Sequence, residues 1–210
     1  MSREVVLHRV RSALGHAPAQ PISPPPAVRL SNTTSGVEER IATFTSALEA
    51  LAGRVYLAAD VAAAREYVVK VLAGREAVAS NSAFLAYTGV VALPGVTTGI
   101  DDRAGLKSIC SSAAVGITGA DYALADTGTL VMFSSRTEAR MISLLPPVHI
   151  ALVARERILS SLDELLTLVP APADRSSSMV LITGPSRTAD IEQILVRGVH
   201  GPGEMHVIIV

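Results

Sequence analysis

"LITGPSRTADIEQILVRGVHGPGEMHVIIV", residues 181–210, is the stretch whose reading decides the fold. Its first apolar run stops at Gly184, a helix-like pattern starts near Thr188 and continues to Gly198, and "MHVIIV" is a second apolar run. Read this way it is strand, turn, helix and strand, and two strands joined through a helix lie parallel in one sheet. Residues 207–210 are all apolar, and an exposed edge made of such residues invites aggregation, so "MHVIIV" is expected inside the sheet.

The same alternation extends back through the chain. "GVEERIATFTSALEALAG" is helical, "RVYLAA" a strand, and "DVAAAREYVVKVLAG" a helix with Asp60 as N-cap and Gly74 just past its end. Then come the strand "EAVAS", a helix over 106–113 that Asp101-Asp102 caps, and the strand "TLVMF". "RTEARMISLL" reads as a helix ended by Pro146 and Pro147, "VHIALVA" as a strand, 158–168 as a helix, and "SMVLIT" as a strand. The expectation is an α/β protein, three-layer α/β/α, with a largely parallel sheet covered on both faces.

Composition supports this. Of 210 residues 49% are hydrophobic and only 3% aromatic, so the core is aliphatic, which suits strands buried on both sides. Lys+Arg 18 against Asp+Glu 19 gives a net charge of −1 with no dense basic block, which argues against nucleic-acid binding. The apolar runs are far shorter than the ~18 residues of a membrane span. Arg9 and Arg11 interrupt the place where the apolar part of an export signal would lie, so a cytoplasmic protein is expected. The single cysteine, Cys110, cannot hold an iron–sulfur cluster, which needs about four thiolates. Residues 1–35 read as an arm: an amphipathic helix over 3–14 followed by a segment that Pro24, Pro25 and Pro26 keep extended. Residues 36–210 form the body.

In such sheets ligands gather beyond the carboxyl ends of the strands, so the loops there are where a site belongs. Three draw attention: "GITGADYALADTGTLVM", "SSRTEAR", and "GPSRTADIE" with its sequel "GVHGPGE". Asp126, Thr127, Gly128 and Thr129 present a carboxylate, two hydroxyls and a backbone amide suited to a polar ligand, although turn chemistry alone accounts for Asp-Thr-Gly. Gly184, Ser186, Arg187, Thr188 and Asp190, with His200 and Gly201 in the sequel, are candidates for an anion at the start of a helix. Against this, Asp190 and Glu192 themselves satisfy the positive end of a helix dipole, and neither GxxxxGK[ST] nor GxGxxG occurs. Thr118 with Asp121, and Ser135 with Glu138, fit capping boxes. His149 in an apolar strand reads as a satisfied core histidine, and the histidines show no metal-ligand spacing.

"GITGADYALADTGTLVM", "SLLPPVHIALV", "LITGPSRTADIE" and "GVHGPGEMHVIIV", in that order, resemble the LUD-domain family, and within it the lactate utilisation protein C subfamily. "REVVLHRVRSAL" is similar to the start of that subfamily. The resemblance implies a NagB/RpiA/CoA transferase-like fold. It also implies a part in the oxidation of L-lactate to pyruvate in bacteria, together with two iron–sulfur partner proteins. On that reading this chain is a non-redox component without a cofactor of its own, the clusters sit on the partners, and the three loops take a small anion or a partner. The other reading is a free-standing enzyme acting on a phosphorylated or CoA-linked small metabolite. Covalent CoA transfer by a glutamate is disfavoured, since the matching turn reads "ADTGT" with no Glu-Gly.

Overall fold

The computed structural model describes residues 2–15, 35–189 and 195–210. In chain order the elements are α1 (Arg3–Ala13), α2 (Val37–Ala50), β1 (Arg54–Leu57), α3 (Val61–Leu72), β2 (Ala77–Ala79), α4 (Ala83–Thr88), β3 (Val96–Thr97) and α5 (Arg103–Ser112). They continue as β4 (Val115–Gly119), β5 (Tyr122–Leu124), β6 (Thr129–Phe133), β7 (Val148–Val153), β8 (Ile158–Leu159), α6 (Leu162–Leu168) and α7 (Pro172–Arg175). The remainder are β9 (Met179–Ile182), β10 (Arg187–Ala189), β11 (Leu195–Arg197) and β12 (Glu204–Ile209).

Six strands form a wholly parallel central sheet in the order β1-β12-β7-β4-β2-β3. "MHVIIV" supplies β12, which lies between β1 and β7 as its apolar sequence requires. Alternation with period two sorts its side chains between two cores. Ile208, with Ile150 and Leu152 of β7 and Ile117 of β4, packs against Ala64, Val68 and Leu72 of α3 and Leu85 of α4. Met205, Val207 and Ile209, with Ala151 and Val153 of β7, pack against Ile41, Phe44 and Leu48 of α2. Each large side chain so buried contributes about 1.5–3 kcal/mol.

The helix starts follow the sequence. Asp60 accepts the Ala63 N–H at 2.8 Å, and Asp102 the Gly105 N–H. No helix among the described residues is long and apolar enough to cross a membrane. None of the residues of α1 is buried.

Five expectations change. The helix read over 158–168 begins only at Leu162, because Ile158–Leu159 forms β8 and pairs with β5. "TLVMF" and "SMVLIT" are not in the parallel sheet; they are β6 and β9 of a second, four-stranded sheet in the order β8-β5-β6-β9, with β6 antiparallel to both its neighbours. The short turn at Asp126–Gly128 folds β6 back on β5, and a parallel strand cannot follow so short a connection. The helix read over 189–198 gives way to an antiparallel pair, β10 with β11, that joins Arg187 to Arg197; residues 190–194 lie outside the described part. The helix read in "RTEARMISLL" is a single 3-10 turn, Arg140–Ser143, closely followed by Pro146 and Pro147. Thr118 is no helix cap: it is buried in β4 and hydrogen-bonded to His149.

Candidate functional site

The carboxyl ends of β2, β4 and β7 meet at a concavity of about 290 Å³, lined among others by Ser82, Gly119, Asp121, Glu138, Arg157 and Arg175. Its position is the one the parallel-sheet rule specifies. Glu138 is its most perturbed group. Ser135 Oγ accepts the Glu138 N–H at 3.0 Å and the Thr137 N–H at 3.1 Å, so half of the expected capping box forms. The Glu138 side chain does not complete it. Its Oε1 accepts the Ser80 hydroxyl at 2.9 Å and the Gly119 N–H at 3.1 Å, which ties the loop to the ends of β2 and β4.

The approach to Gly119 is close, and a side chain there would displace the ends of Ser82 and Glu138. A Cβ there would sit 2.9 Å from Ser82 Oγ and 3.0 Å from Glu138 Oε1. Glu138 Oε2 is buried and has no partner among the described residues. Burial pushes the carboxyl up to about 7, against the opposing hydrogen bonds from Ser80 and Gly119. A buried carboxylate oxygen with no donor is costly, and such exceptions call for a functional account.

Two arginines line the same concavity. Arg175 pairs with Asp121 at 3.0 Å and lies 4.4 Å from the centroid of the Phe133 ring. Arg157 donates to the Tyr122 hydroxyl at 3.2 Å and lies 5.3 Å from that ring's centroid; it forms no ion pair among the described residues. The aromatic faces hold both guanidiniums in place, and Arg157 is left without a carboxylate in ion-pair contact among the described residues, although Glu156 lines the same concavity. Asp121 also accepts the Phe133 N–H at 2.8 Å, so this carboxylate ties the second sheet to the arginine.

The residues singled out from sequence fall into separate groups. Thr129 Oγ1 donates to Thr127 Oγ1 and lies 2.8 Å from Thr183 Oγ1, and Thr127 donates to Asp126 at 3.2 Å. "ADTGT" and the end of "LIT" do meet, therefore, and their hydroxyls are spent on one another. Gly128, at φ +64°, lets the turn press on α2: a Cβ there would lie 2.5 Å from the Leu48 nitrogen. Gly184, at φ +85°, leads from β9 past Leu51. Ser186 belongs to the other loop, its N–H donating to the Pro202 carbonyl at 2.8 Å and its carbonyl accepting the Gly198 N–H at 3.1 Å, with Gly201 packed beside its side chain. Arg187 and Thr188 sit in β10, and no hydrogen bond or ion pair joins Arg187 to "ADTGT" among the described residues. His200 is exposed, and Asp190 lies outside the described residues.

His149 is a core histidine. Its Nε2 lies 2.8 Å from Thr118 Oγ1, and burial lowers its pKa to about 4. No group of three or more His, Cys, Asp or Glu among the described residues is arranged to hold a metal ion. Sequence reasoning missed Glu138, Ser80, Gly119, Arg157 and Arg175. The available signal was the position of "SSRTEAR", a polar loop directly after a strand.

Comparison with known proteins agrees with the architecture. Residues 41–210 match the LUD domain, and the chain belongs to the LUD-domain family. A solved structure, a duf162 family protein from Deinococcus radiodurans, superposes with a TM-score of 0.63 at 19% identity, covering 84% of this chain and 99% of that one; it shares the fold. Among curated relatives, the lactate utilization protein C of Geobacillus sp. is 39% identical over 116 residues, 52% of this chain and 48% of the relative. That of Bacillus subtilis is 40% identical over 100 residues, 46% of this chain and 42% of the relative. The matched stretch spans about half the length of these curated relatives or less.

Proposed function

We propose that this chain is a non-redox component of a lactate-utilisation system, taking part in oxidation of L-lactate to pyruvate with iron–sulfur partner proteins, and that the Glu138 concavity receives the small 2-hydroxy acid. The relatives' names support a role in lactate utilisation, and the buried, unpartnered Oε2 of Glu138 is the observation that carries the site. Oxidation of a 2-hydroxy acid removes a hydroxyl proton and two electrons with a second hydrogen, so a base must stand beside the hydroxyl. A carboxylate with a pKa of about 7 divides between its two forms near neutral pH, which suits a group that takes up and releases a proton in turn. Oε1 is held by Ser80 and Gly119, so Oε2 is the oxygen with no donor of its own; it is buried in this structure, and the substrate hydroxyl reaches it with a shift of the Glu138 side chain towards the concavity. Arg157 pairs with the substrate carboxylate and orients it. The two electrons and the second hydrogen, released from carbon, would pass to an acceptor that the partner proteins supply.

The test is lactate-dependent dye reduction by the three purified proteins, omitting each in turn and replacing this chain by Glu138→Gln. Omission is expected to stop reduction, and the substitution to slow it by about 100-fold or more with folding intact. Full activity of Glu138→Gln removes the site from the reading. Full activity without this chain removes the function.

A further inference from the structure

A second hollow lies at the opposite, amino-terminal edge of the central sheet, with a volume of about 380 Å³. Arg54 opens β1, Glu204 and His206 lie at the start of β12, and Tyr67, Lys70 and Arg75 come from α3 and the turn after it. Three cations therefore face one carboxylate. Arg54 is paired with Glu204. Arg75 spends Nε and Nη2 on the carbonyls of Leu72 and Val71 at the end of α3, and Lys70 has no partner among the described residues. The positive charge around the hollow exceeds what Glu204 balances, and Arg54, Lys70 and Arg75 are all exposed at its rim, where an anion can reach them from solvent.

A hydrogen-bonded line crosses the floor of this hollow. Tyr67 Oη lies 2.9 Å from His206 Nδ1, and His206 Nε2 lies 3.0 Å from Glu204 Oε1. The direction of the line follows from the charges. The hydrogen bond from His206 holds the Glu204 carboxyl below its usual range, so Glu204 is an acceptor. Nε2 must then carry the hydrogen. Burial holds His206 below the ordinary histidine range, so the ring is neutral near pH 7 and Nδ1 is bare. Tyr67 therefore donates its only hydrogen to Nδ1, and what its oxygen presents to the hollow is a lone pair. Stacking on Tyr56, with centroids 4.2 Å apart, fixes the ring in that place.

We propose that this hollow binds an oxyanion that carries a hydroxyl hydrogen, hydrogen phosphate being the simplest: Lys70, Arg54 and Arg75 hold the charge, and the Tyr67 oxygen accepts the hydroxyl. This arrangement discriminates between anions of like size and charge. Sulfate near pH 7 has no hydrogen to give, and its oxygens would face the Tyr67 lone pair, an unfavourable contact. Hydrogen phosphate meets acceptor with donor. The site stands apart from the Glu138 concavity and does not depend on the function proposed for it.

The test is calorimetric titration of the full chain with inorganic phosphate and, separately, with inorganic sulfate at matched ionic strength. Phosphate is expected to bind saturably at one site and about tenfold or more tighter than sulfate. Lys70→Gln, an exposed change that leaves the fold intact, is expected to weaken phosphate by about fivefold or more. Tyr67→Phe is expected to bring the two anions to similar affinities, and Arg157→Gln, in the other concavity, to change neither. No saturable phosphate binding, equal affinity for both anions in the native chain, indifference to Lys70→Gln, or loss of binding in Arg157→Gln would each overturn the proposal.

Discussion

The turn at Asp126–Thr129 and the loop at Ser135–Glu138 are both polar, both follow or precede strands of the second sheet, and both read from sequence as ordinary turn chemistry. They differ in what is left over. In the turn, Thr127, Thr129 and Thr183 satisfy one another, and Gly128 is required by its contact with α2. In the loop, the carboxylate of Glu138 is drawn inward, one oxygen takes two well-placed donors, and the other is buried with none. A closed set of hydrogen bonds stabilises a fold and has nothing to offer a ligand. An unfinished set costs stability and retains the capacity to act.

The largest effect expected from this contrast is in the turn. Gly128→Ala places a Cβ 2.5 Å from the Leu48 nitrogen in a left-handed backbone conformation, and is expected to cost about 3–4 kcal/mol. Calorimetric melting checks this, and an unchanged melting temperature would mean that the turn does not bear on α2.

The second effect, up to about 3 kcal/mol, belongs to Glu138 and appears in the pH dependence. Its folded pKa of about 7 lies above the ordinary 4.5, so from 4.5 to 7 the folded state holds a proton that the unfolded state has lost. Its contribution is present below pH 4.5 and disappears as the pH rises to 7. His149 runs the other way: its pKa falls from 6.5 to about 4, so its contribution is present above 6.5 and disappears as the pH falls to 4. The two slopes oppose each other where they overlap. Glu138→Gln is expected to leave the His149 slope bare, with stability in denaturant rising steadily between pH 4 and 6.5. The same pH profile in variant and native chain would contradict the raised pKa.

Smaller still is Thr183→Val, which removes one member of a closed set while Thr129 retains its bond to Thr127. About 0.5–1 kcal/mol of stability is expected to go, with lactate-dependent dye reduction unchanged. The least is Arg187→Ala: a solvent-facing strand residue with no described partner, expected to shift stability by no more than about 0.5 kcal/mol in denaturant titration.

The strands of the central sheet were legible because burial on both faces makes them continuous apolar runs, as in "VHIALVA" and "MHVIIV". The caps at Asp60 and Asp102 were legible because they are local. The β10–β11 pair was not, since "ADIEQILVRG" carries apolar residues at helical spacing and a glycine where a helix would end. In the fold that glycine, Gly198, instead packs against Gly203, at φ +80°. The region of the site could be read from the rule of strand ends, and its loop "SSRTEAR" was in view. Its key residue was not, because Ser135 and Glu138 carry the letters of a capping box and only half of one forms. Whether a glutamate turns back on its own helix start or reaches across to Ser80 and Gly119 is decided by residues about 20 to 60 positions away, and no local pattern carries that information.

The place of β1 in the sheet has a consequence for how the protein is made. β1 pairs with β12 alone within the sheet, Arg54 lying opposite His206, and its ion-pair partner Glu204 on the same strand is 150 residues further along the chain. At a synthesis rate of about 5–20 residues per second, β1 emerges roughly 8 to 30 seconds before its neighbour exists. During that interval its apolar Val55 and Leu57 and its unpaired backbone are available to any other strand. The short run and the arginine at its start limit that hazard, as charge and brevity do for edge strands in general. The nascent chain must therefore wait, with β7 and β4 already able to pair, for β12 to arrive between β7 and β1 and join the two.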